Sequence, residues 1–370
     1  MRTLLILNDL HWGTQRGAGT TPATAALLKQ FLFDQSRQVF MQHLDKDLLI
    51  NGDLFDKFSE DEATIEQAFR ILHDWLEASG RMLHLVPGNH DFSAKADKLS
   101  SFHLLGSILS AAHPDQVRVY GSELTKVQTG VWVIPHCLNQ DLFDMELEKA
   151  LEMSGEIGRL FLHANVMNPF AEQADHSLNV SEEMARRFAE TPVQLIFAHE
   201  HQRRCITFNG KSISQKSDFD PSADIIVLGN QFPSSISDCL PHGRAQDDGR
   251  KFAHVLSDGG WEQVQTWTNE GNFTRVDWRD LGSIGDEMFV RVEGTAEQSE
   301  AADVVTAIAK YRSKSNAYII TNAVKVAGVN SIKGFDGISL EDIRKFDVKE
   351  ALLELFTTEE RAVIEKCLEN

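Results

Sequence analysis

Asp47-Leu48-Leu49-Ile50-Asn51-Gly52-Asp53-Leu54-Phe55-Asp56 is an apolar run that breaks on a glycine and ends in carboxylates. Three consecutive large aliphatics bounded by polar residues read as a short buried strand. Gly52 permits the sharp turn that carries the next side chains over the strand end. Upstream, Thr3-Leu4-Leu5-Ile6-Leu7 repeats the pattern and runs into Asn8-Asp9-Leu10-His11-Trp12-Gly13. Downstream, Met82-Leu83-His84-Leu85-Val86 repeats it again and runs into Pro87-Gly88-Asn89-His90-Asp91. Between these strands, residues 23–43 are helix-like, and residues 61–78 carry Ile65, Phe69, Leu72 and Leu76 at helical spacing.

The alternation continues along the chain. Val131-Trp132-Val133-Ile134-Pro135 is a strand, Arg159-Leu160-Phe161-Leu162 a strand that ends on His163, and Gln194-Leu195-Ile196-Phe197-Ala198 a strand that ends on His199-Glu200-His201. Asp224-Ile225-Ile226-Val227-Leu228 leads into Gly229-Asn230-Gln231-Phe232-Pro233-Ser234-Ser235. Strand followed by polar loop, repeated this often, predicts an α/β or α/β/α sandwich with a site at the carboxyl ends of the strands. Near residue 280 the character changes. Met288-Phe289-Val290-Arg291-Val292, a helix over 296–312 and Ala317-Tyr318-Ile319-Ile320-Thr321 form a small αβ unit. Two further helix starts, Ser339-Leu340-Glu341-Asp342 and Thr357-Thr358-Glu359-Glu360, resemble capping boxes. The stretches around 208–223 and 241–251 are expected to be flexible.

Bulk properties set the frame. The 370 residues suffice for one large domain plus a small one, and 25% charged with 42% hydrophobic residues is a folded-protein composition. No apolar run is long enough to span a membrane, and the start is too short and too early interrupted by Asp9 for a signal peptide. Cys137, Cys205, Cys239 and Cys367 are scattered without metal-type or redox-type pairing, which fits a reduced, cytoplasmic setting. The net charge of −19 argues against tight non-specific nucleic-acid binding by the chain alone.

Five loops then offer ligands, each at a predicted strand end. They supply Asp9 and His11, then Asp53 with Asp56, then Asn89 with His90 and Asp91, then His163, then His199 and His201. An Asp-x-His pair alone is common, and His163 alone reads as a buried, hydrogen-bonded histidine. All five together, in this order and each at a strand end, point to a shared metal site. Hydrolysis of a phosphate ester needs a nucleophilic water, stabilised phosphoryl oxygens and a protonated leaving group. Two ions roughly 3.5–4 Å apart, sharing one carboxylate, supply most of this. Imidazole and carboxylate donors suit manganese, iron, zinc and similar ions. His43, His73, His84, His103, His113 and His254 are read as structural.

This ordered set resembles the calcineurin-like metallophosphoesterases over roughly residues 1–260. The resemblance implies a four-layer α/β/β/α metallophosphoesterase sandwich with a small C-terminal αβ capping domain and terminal helices. It implies one ion on Asp9, His11, Asp53 and His201, and a second on Asp53, Asn89, His163 and His199. It also implies that His90 meets the scissile phosphate or protonates the leaving group, with Asp56 orienting it. Ala198 departs from the glycine usual in the family, which implies a small backbone change. Gly-Asp-Leu-Phe-Asp at 52–56, His-Glu-His at 199–201, the Gly/Pro/Ser turn after residue 228 and the C-terminal unit are most similar to the SbcD-type DNA exonuclease subunits of bacteria and phages. The implied organisation is a nuclease domain over 1–275, a capping domain over 280–335 and a partner-docking helical segment over 339–370. The implied function is DNA exo- or endonuclease activity in repair and recombination, with two divalent ions, manganese first, and an SbcC-type ATPase as partner. A homodimer is compatible with the sequence. Two alternatives stay open: a phosphatase acting on nucleotides or other small phosphoesters, and a non-catalytic binding subunit.

Overall fold

The structure is a computed structural model that describes residues 2–14, 22–92, 99–168, 177–233, 250–267, 273–284, 289–312 and 318–326. The expected helices of 339–370 lie outside the described residues, as does most of the 241–251 stretch.

Two sheets carry the molecule. In the first, β1 (Leu4–Leu7), β2 (Asp47–Asn51), β3 (Leu83–Val86) and β4 (Val117–Val119) lie parallel. The antiparallel hairpin of β14 (Lys251–Ser257) and β15 (Gly260–Trp267) extends it beside β1. In the second, β6 (Gly130–Ile134), β7 (Ile157–His163), β10 (Gln194–Ala198) and β13 (Ile225–Val227) are parallel. The antiparallel strands β5 (Thr125–Gln128), β11 (Arg204–Asn209) and β12 (Ser212–Lys216) flank them, and β8 (Asn165–Val166) and β9 (Asn179–Val180) form a short parallel pair of their own.

The period-two alternation of side chains explains the layering. Leu4, Ile6, Leu49 and Val86 point inward and pack on Val131, Val133, Phe161, Ile196 and Ile226 of the other sheet. Their neighbours Leu5, Leu7, Leu48, Ile50 and Leu85 point outward, onto Leu28, Phe40, Leu72, Trp75 and Leu105. Those belong to α1 (Pro22–Gln42), α2 (Glu62–Ser79) and α3 (Ser101–Ala112). On the far side, Ile134, Leu160, Leu162, Leu195 and Phe197 meet Phe143, Leu147, Met184 and Phe188. These come from α4 (Gln140–Glu152) and α5 (Glu182–Ala189). The result is the four-layer α/β/β/α sandwich, because strands apolar on both faces must be covered on both.

Beyond the sheets, β18 (Thr295–Ala296) and β20 (Lys325–Val326) form a short parallel pair, and β16 (Phe273–Asp277), β17 (Phe289–Glu293) and β19 (Tyr318–Asn322) form a small parallel sheet. This sheet packs with α6 (Ala301–Arg312) around Trp278, Val290, Val292, Val304, Ile308 and Tyr311. Phe289 also reaches Phe31 of α1 at a ring distance of 5.9 Å. One expectation is corrected. The stretch around 208–223 is not simply a loop: β11 and β12 pair from Cys205↔Lys216 to Asn209↔Ser212, turning at Gly210 with φ +60°. Every residue of β12 is exposed, so it has no apolar face to betray it in the sequence.

Candidate metal centre

The carboxyl ends of both sheets' parallel strands point the same way, and the ligand-bearing loops leave from there. The loops after β1 and β2 are laced together by hydrogen bonds. Asp9 N donates to Gly52 O (3.1 Å), His11 N to Asp53 O (3.0 Å), Trp12 N to Leu54 O (2.9 Å) and Asp56 N to Trp12 O (3.0 Å). This extends parallel pairing past the last strand residues and fixes both loops against each other. Holding these turns is strained work for the backbone. Among the described residues, Asp9, His11, Asp53 and His199 take positive φ (51°, 45°, 47° and 79°), the left-handed region that non-glycine residues rarely enter. Met167 is the only other described non-glycine residue there. Such strain concentrates where a site over-determines its geometry.

All seven expected ligands meet. Asp9, His11 and His201 present donor atoms within 4.8 Å of one another, and so do Asp53, His163 and His199. His11 Nε2 is 3.1 Å from His201 Nε2, and His163 Nε2 is 3.1 Å from Asn89 Oδ1. Asp53 sits between the two groups, its Oδ2 3.3 Å from His163 Nε2 and 3.8 Å from His11 Nε2. His163 Nδ1 donates to the carbonyl of Asn51 (3.3 Å), a partner that can only accept, so Nε2 is the nitrogen turned toward the site. Burial opposes charge on Asp53, yet His163 beside it holds the carboxyl well below the usual range. Burial likewise opposes protonation of His163, but Asp53 outweighs it and pushes the imidazole up to about 9. The pocket therefore draws positive charge.

The residues fit a pair of cations. Asp9 is buried, its Oδ2 accepts from Asn8 Nδ2 and His199 N, and its Oδ1 has no hydrogen-bond partner. A buried carboxylate oxygen left unpaired is costly unless a cation meets it. The floor is also cut to shape. A Cβ on Gly52 would lie 1.9 Å from His163 Nδ1, and one on Gly88 2.2 Å from Asp53 Oδ1.

His90 stands at the same rim. Its Nδ1 donates to the main-chain carbonyl of Asp56 (2.6 Å), which leaves Nε2 on the cleft side, 3.9 Å from Asp53 Oδ2. Asp56 thus contacts His90 through its main-chain carbonyl, while the Asp56 carboxylate Oδ1 lies 3.5 Å from His11 Nδ1. Asp91 is buried and accepts from the main-chain N–H groups of Leu54, Phe55 and Gly88 (3.1 Å each), tying the second and third loops together. Burial and the charge of Asp53 push its carboxyl up to about 7.

Several site residues escape a reading of the sequence. Asn8 and Gln231 form a buried amide pair: Gln231 Nε2 donates to Asn8 Oδ1 (2.9 Å), and both amides donate to Gly229 O. Asn8 in turn holds Asp9. The only signal for them is that Asn8 precedes a ligand and that Gln231 sits in the turn after β13. His136 is buried near the centre with its N–H on Pro87 O (3.1 Å), and burial pushes it down to about 3. Lys57, Phe58, Asn165 and Glu200 line the cleft of about 750 Å3 above the ligands. Of the histidines read as structural, His84 pairs with Tyr120 (2.7 Å) and His254 with Gln263 (3.2 Å). His73 and His113 pair with each other, a partnership that nothing in their spacing marks.

The calcineurin-like phosphoesterase family profile matches residues 2–230, a span that holds every ligand loop from Asp9 to His201. A search of curated proteins returns no match. Among solved structures, the chain is similar to a dimetal phosphatase from Danio rerio at 14% identity and a TM-score of 0.38, covering 72% of this chain and 98% of that one. That likeness is too slight to carry an argument. The family match runs over most of the chain and over the whole ligand set, and no helix among the described residues is long and apolar enough to cross a membrane. The chain brings together Asp and His donors able to hold metal ions and belongs to the calcineurin-like phosphoesterase family.

Proposed function

We propose that this chain is a DNA nuclease subunit that hydrolyses phosphodiester bonds with two divalent ions, manganese foremost. In this reading Asp9, His11, Asp53 and His201 hold one ion, and Asp53, Asn89, His163 and His199 hold the other. When bound, the ions supply an acidified water and positive charge for the phosphoryl oxygens. His90, fixed through Nδ1 by the Asp56 carbonyl, presents Nε2 to the leaving sugar oxygen and delivers its proton. The His11 ring is held on its far side by the Asp56 carboxylate.

The observation that carries the DNA reading is the rim of the cleft. Lys57 and Phe58 line it beside His90, a cation for a phosphate next to an aromatic face on which an unstacked base can rest. Such contacts read backbone and stacking, so little sequence preference is expected. The remaining basic surface that strand retention needs would come from a partner, an SbcC-type ATPase, because the chain itself carries a net charge of −19.

One observation favours a second reading. Lys57 is the only lysine or arginine among the described residues that line the cleft, which suits a small phosphoester better than a polyanion. The test is purified protein with manganese on labelled single- and double-stranded linear DNA, beside a chromogenic monoester and diester. The nuclease reading expects DNA degradation that falls by about 10²–10⁴ in His90→Ala with metal content unchanged. Turnover of the monoester with DNA left intact would overturn it in favour of the phosphatase.

A further inference from the structure

We propose that His73, Glu77 and His113 form a separate metal site that takes one transition ion of the zinc class and clamps α2 to the end of α3. None of the three residues lines the phosphoesterase cleft. One donor atom of each lies within 4.8 Å of a donor atom of the other two.

The donors are set from two elements. His73 and Glu77 are four residues apart on α2, so they share one face of the helix. His113 is the C-terminal cap of α3; its N–H donates to Leu109 O (2.8 Å), and its carbonyl accepts from Gln116 N and Val117 N (3.1 Å each). Its side chain is 5% exposed, so the ring has little freedom. Phe69, one turn before His73, stacks on that imidazole at 5.3 Å and 11°. Both rings are therefore held before any ligand arrives.

His73 Nδ1 faces His113 Nε2 at 2.8 Å, and Glu77 Oε1 lies 3.6 Å from His113 Nδ1. Two imidazole nitrogens so close must share one proton between two lone pairs. An ion takes the place of that proton with little movement. Tetrahedral bonds of about 2.0–2.1 Å set the two nitrogens roughly 3.3 Å apart, a shift of about half an ångström. Glu77, 66% exposed on a long side chain, swings in as the third ligand, and water fills the fourth position. Two imidazoles and one carboxylate, open to solvent, suit zinc better than magnesium or calcium. The bound ion would replace the His73–His113 hydrogen bond with a stronger link between the two helices.

The proposal is independent of what the cleft hydrolyses. The test dialyses the full chain against limiting free Zn²⁺ and reads ions per chain by elemental analysis, with the Zn²⁺-dependent rise in unfolding temperature beside it. His73→Ala is expected to lose one ion per chain relative to the parent and to lose part of the thermal rise. Glu77→Gln, on an exposed face and harmless to folding, is expected to weaken that ion by about tenfold or more. His199→Ala should leave it in place. Equal ion counts and equal thermal rises in the parent, His73→Ala and Glu77→Gln would overturn the site and leave only a hydrogen-bonded histidine pair.

Discussion

Replacing Gly52 by alanine tests how closely the floor of the centre is fitted. Gly52 has φ +87°, and its new Cβ would stand 1.9 Å from His163 Nδ1, where ordinary contact begins at 3.4 Å. The left-handed backbone costs an alanine about 1–2 kcal/mol. Removing an overlap of about 1.5 Å beneath a buried ring adds ~1–3 kcal/mol of overpacking. The stability loss should therefore be about 2–5 kcal/mol. The functional effect is larger, because His163 must move by far more than the ~0.2 Å within which ligand distances hold. The variant should bind about one ion fewer per chain and lose roughly 10²-fold in turnover, the cost of a displacement near 1 Å at a reacting centre. Gly80→Ala is the control: its φ is +62°, and nothing lies within 4 Å of its added Cβ. It carries the backbone cost alone, with full metal content. Elemental analysis, chromogenic ester hydrolysis and denaturant unfolding on both variants decide the matter. If Gly52→Ala matches Gly80→Ala in all three, the floor is not fitted to His163 and the reasoning fails.

Asp91→Ala strips the acceptor from three buried N–H groups, those of Leu54, Phe55 and Gly88, and at about 1–3 kcal/mol each should cost ~3 kcal/mol or more in denaturant unfolding; a loss below about 1 kcal/mol would show that the loops do not lean on it. Burial pushes His84 down to about 4 and His254 to about 3 from the ordinary 6.5, so the folded chain refuses protons that the unfolded chain takes up. Stability present at neutral pH is then lost as pH falls through 6.5 toward 4, by about 1.4 kcal/mol per pH unit for each ring. Unfolding temperatures of the metal-free chain should drop across that range, and His254→Gln should flatten the slope; an unchanged slope in the variant counts against the assignment.

Much of the centre can be read along the chain because each ligand sits within a few residues of the strand that delivers it. Leu48-Leu49-Ile50 needs burial on both faces, and the Asp53 side chain beyond Gly52 is thrown over the strand end by local geometry alone. The groups that support the ligands are not legible, since they join distant segments. Asn8 and Gln231 are separated by 223 positions, and neither stands out by type. The α3 segment Ser101–Ala112 escapes notice because its residues are apolar on nearly all sides, which blurs the helical period. The hydrogen bond from His90 to the Asp56 carbonyl is likewise illegible, since a carbonyl is a group that every residue has and no pattern marks.

The division of ligands between the two sheets has a consequence in time. Asp9, His11, Asp53 and Asn89 leave strands of the first sheet, while His163, His199 and His201 leave strands of the second. A ribosome has delivered every donor of the first group by residue 89, but the last donors emerge only at 199 and 201. At about 5–20 residues per second, that interval is roughly 5–20 s. Through it the nascent chain holds half a cage, too open to grip two ions. The cage closes only when the second sheet docks on the first, so the centre is completed by packing of the whole sandwich and not by either half of it.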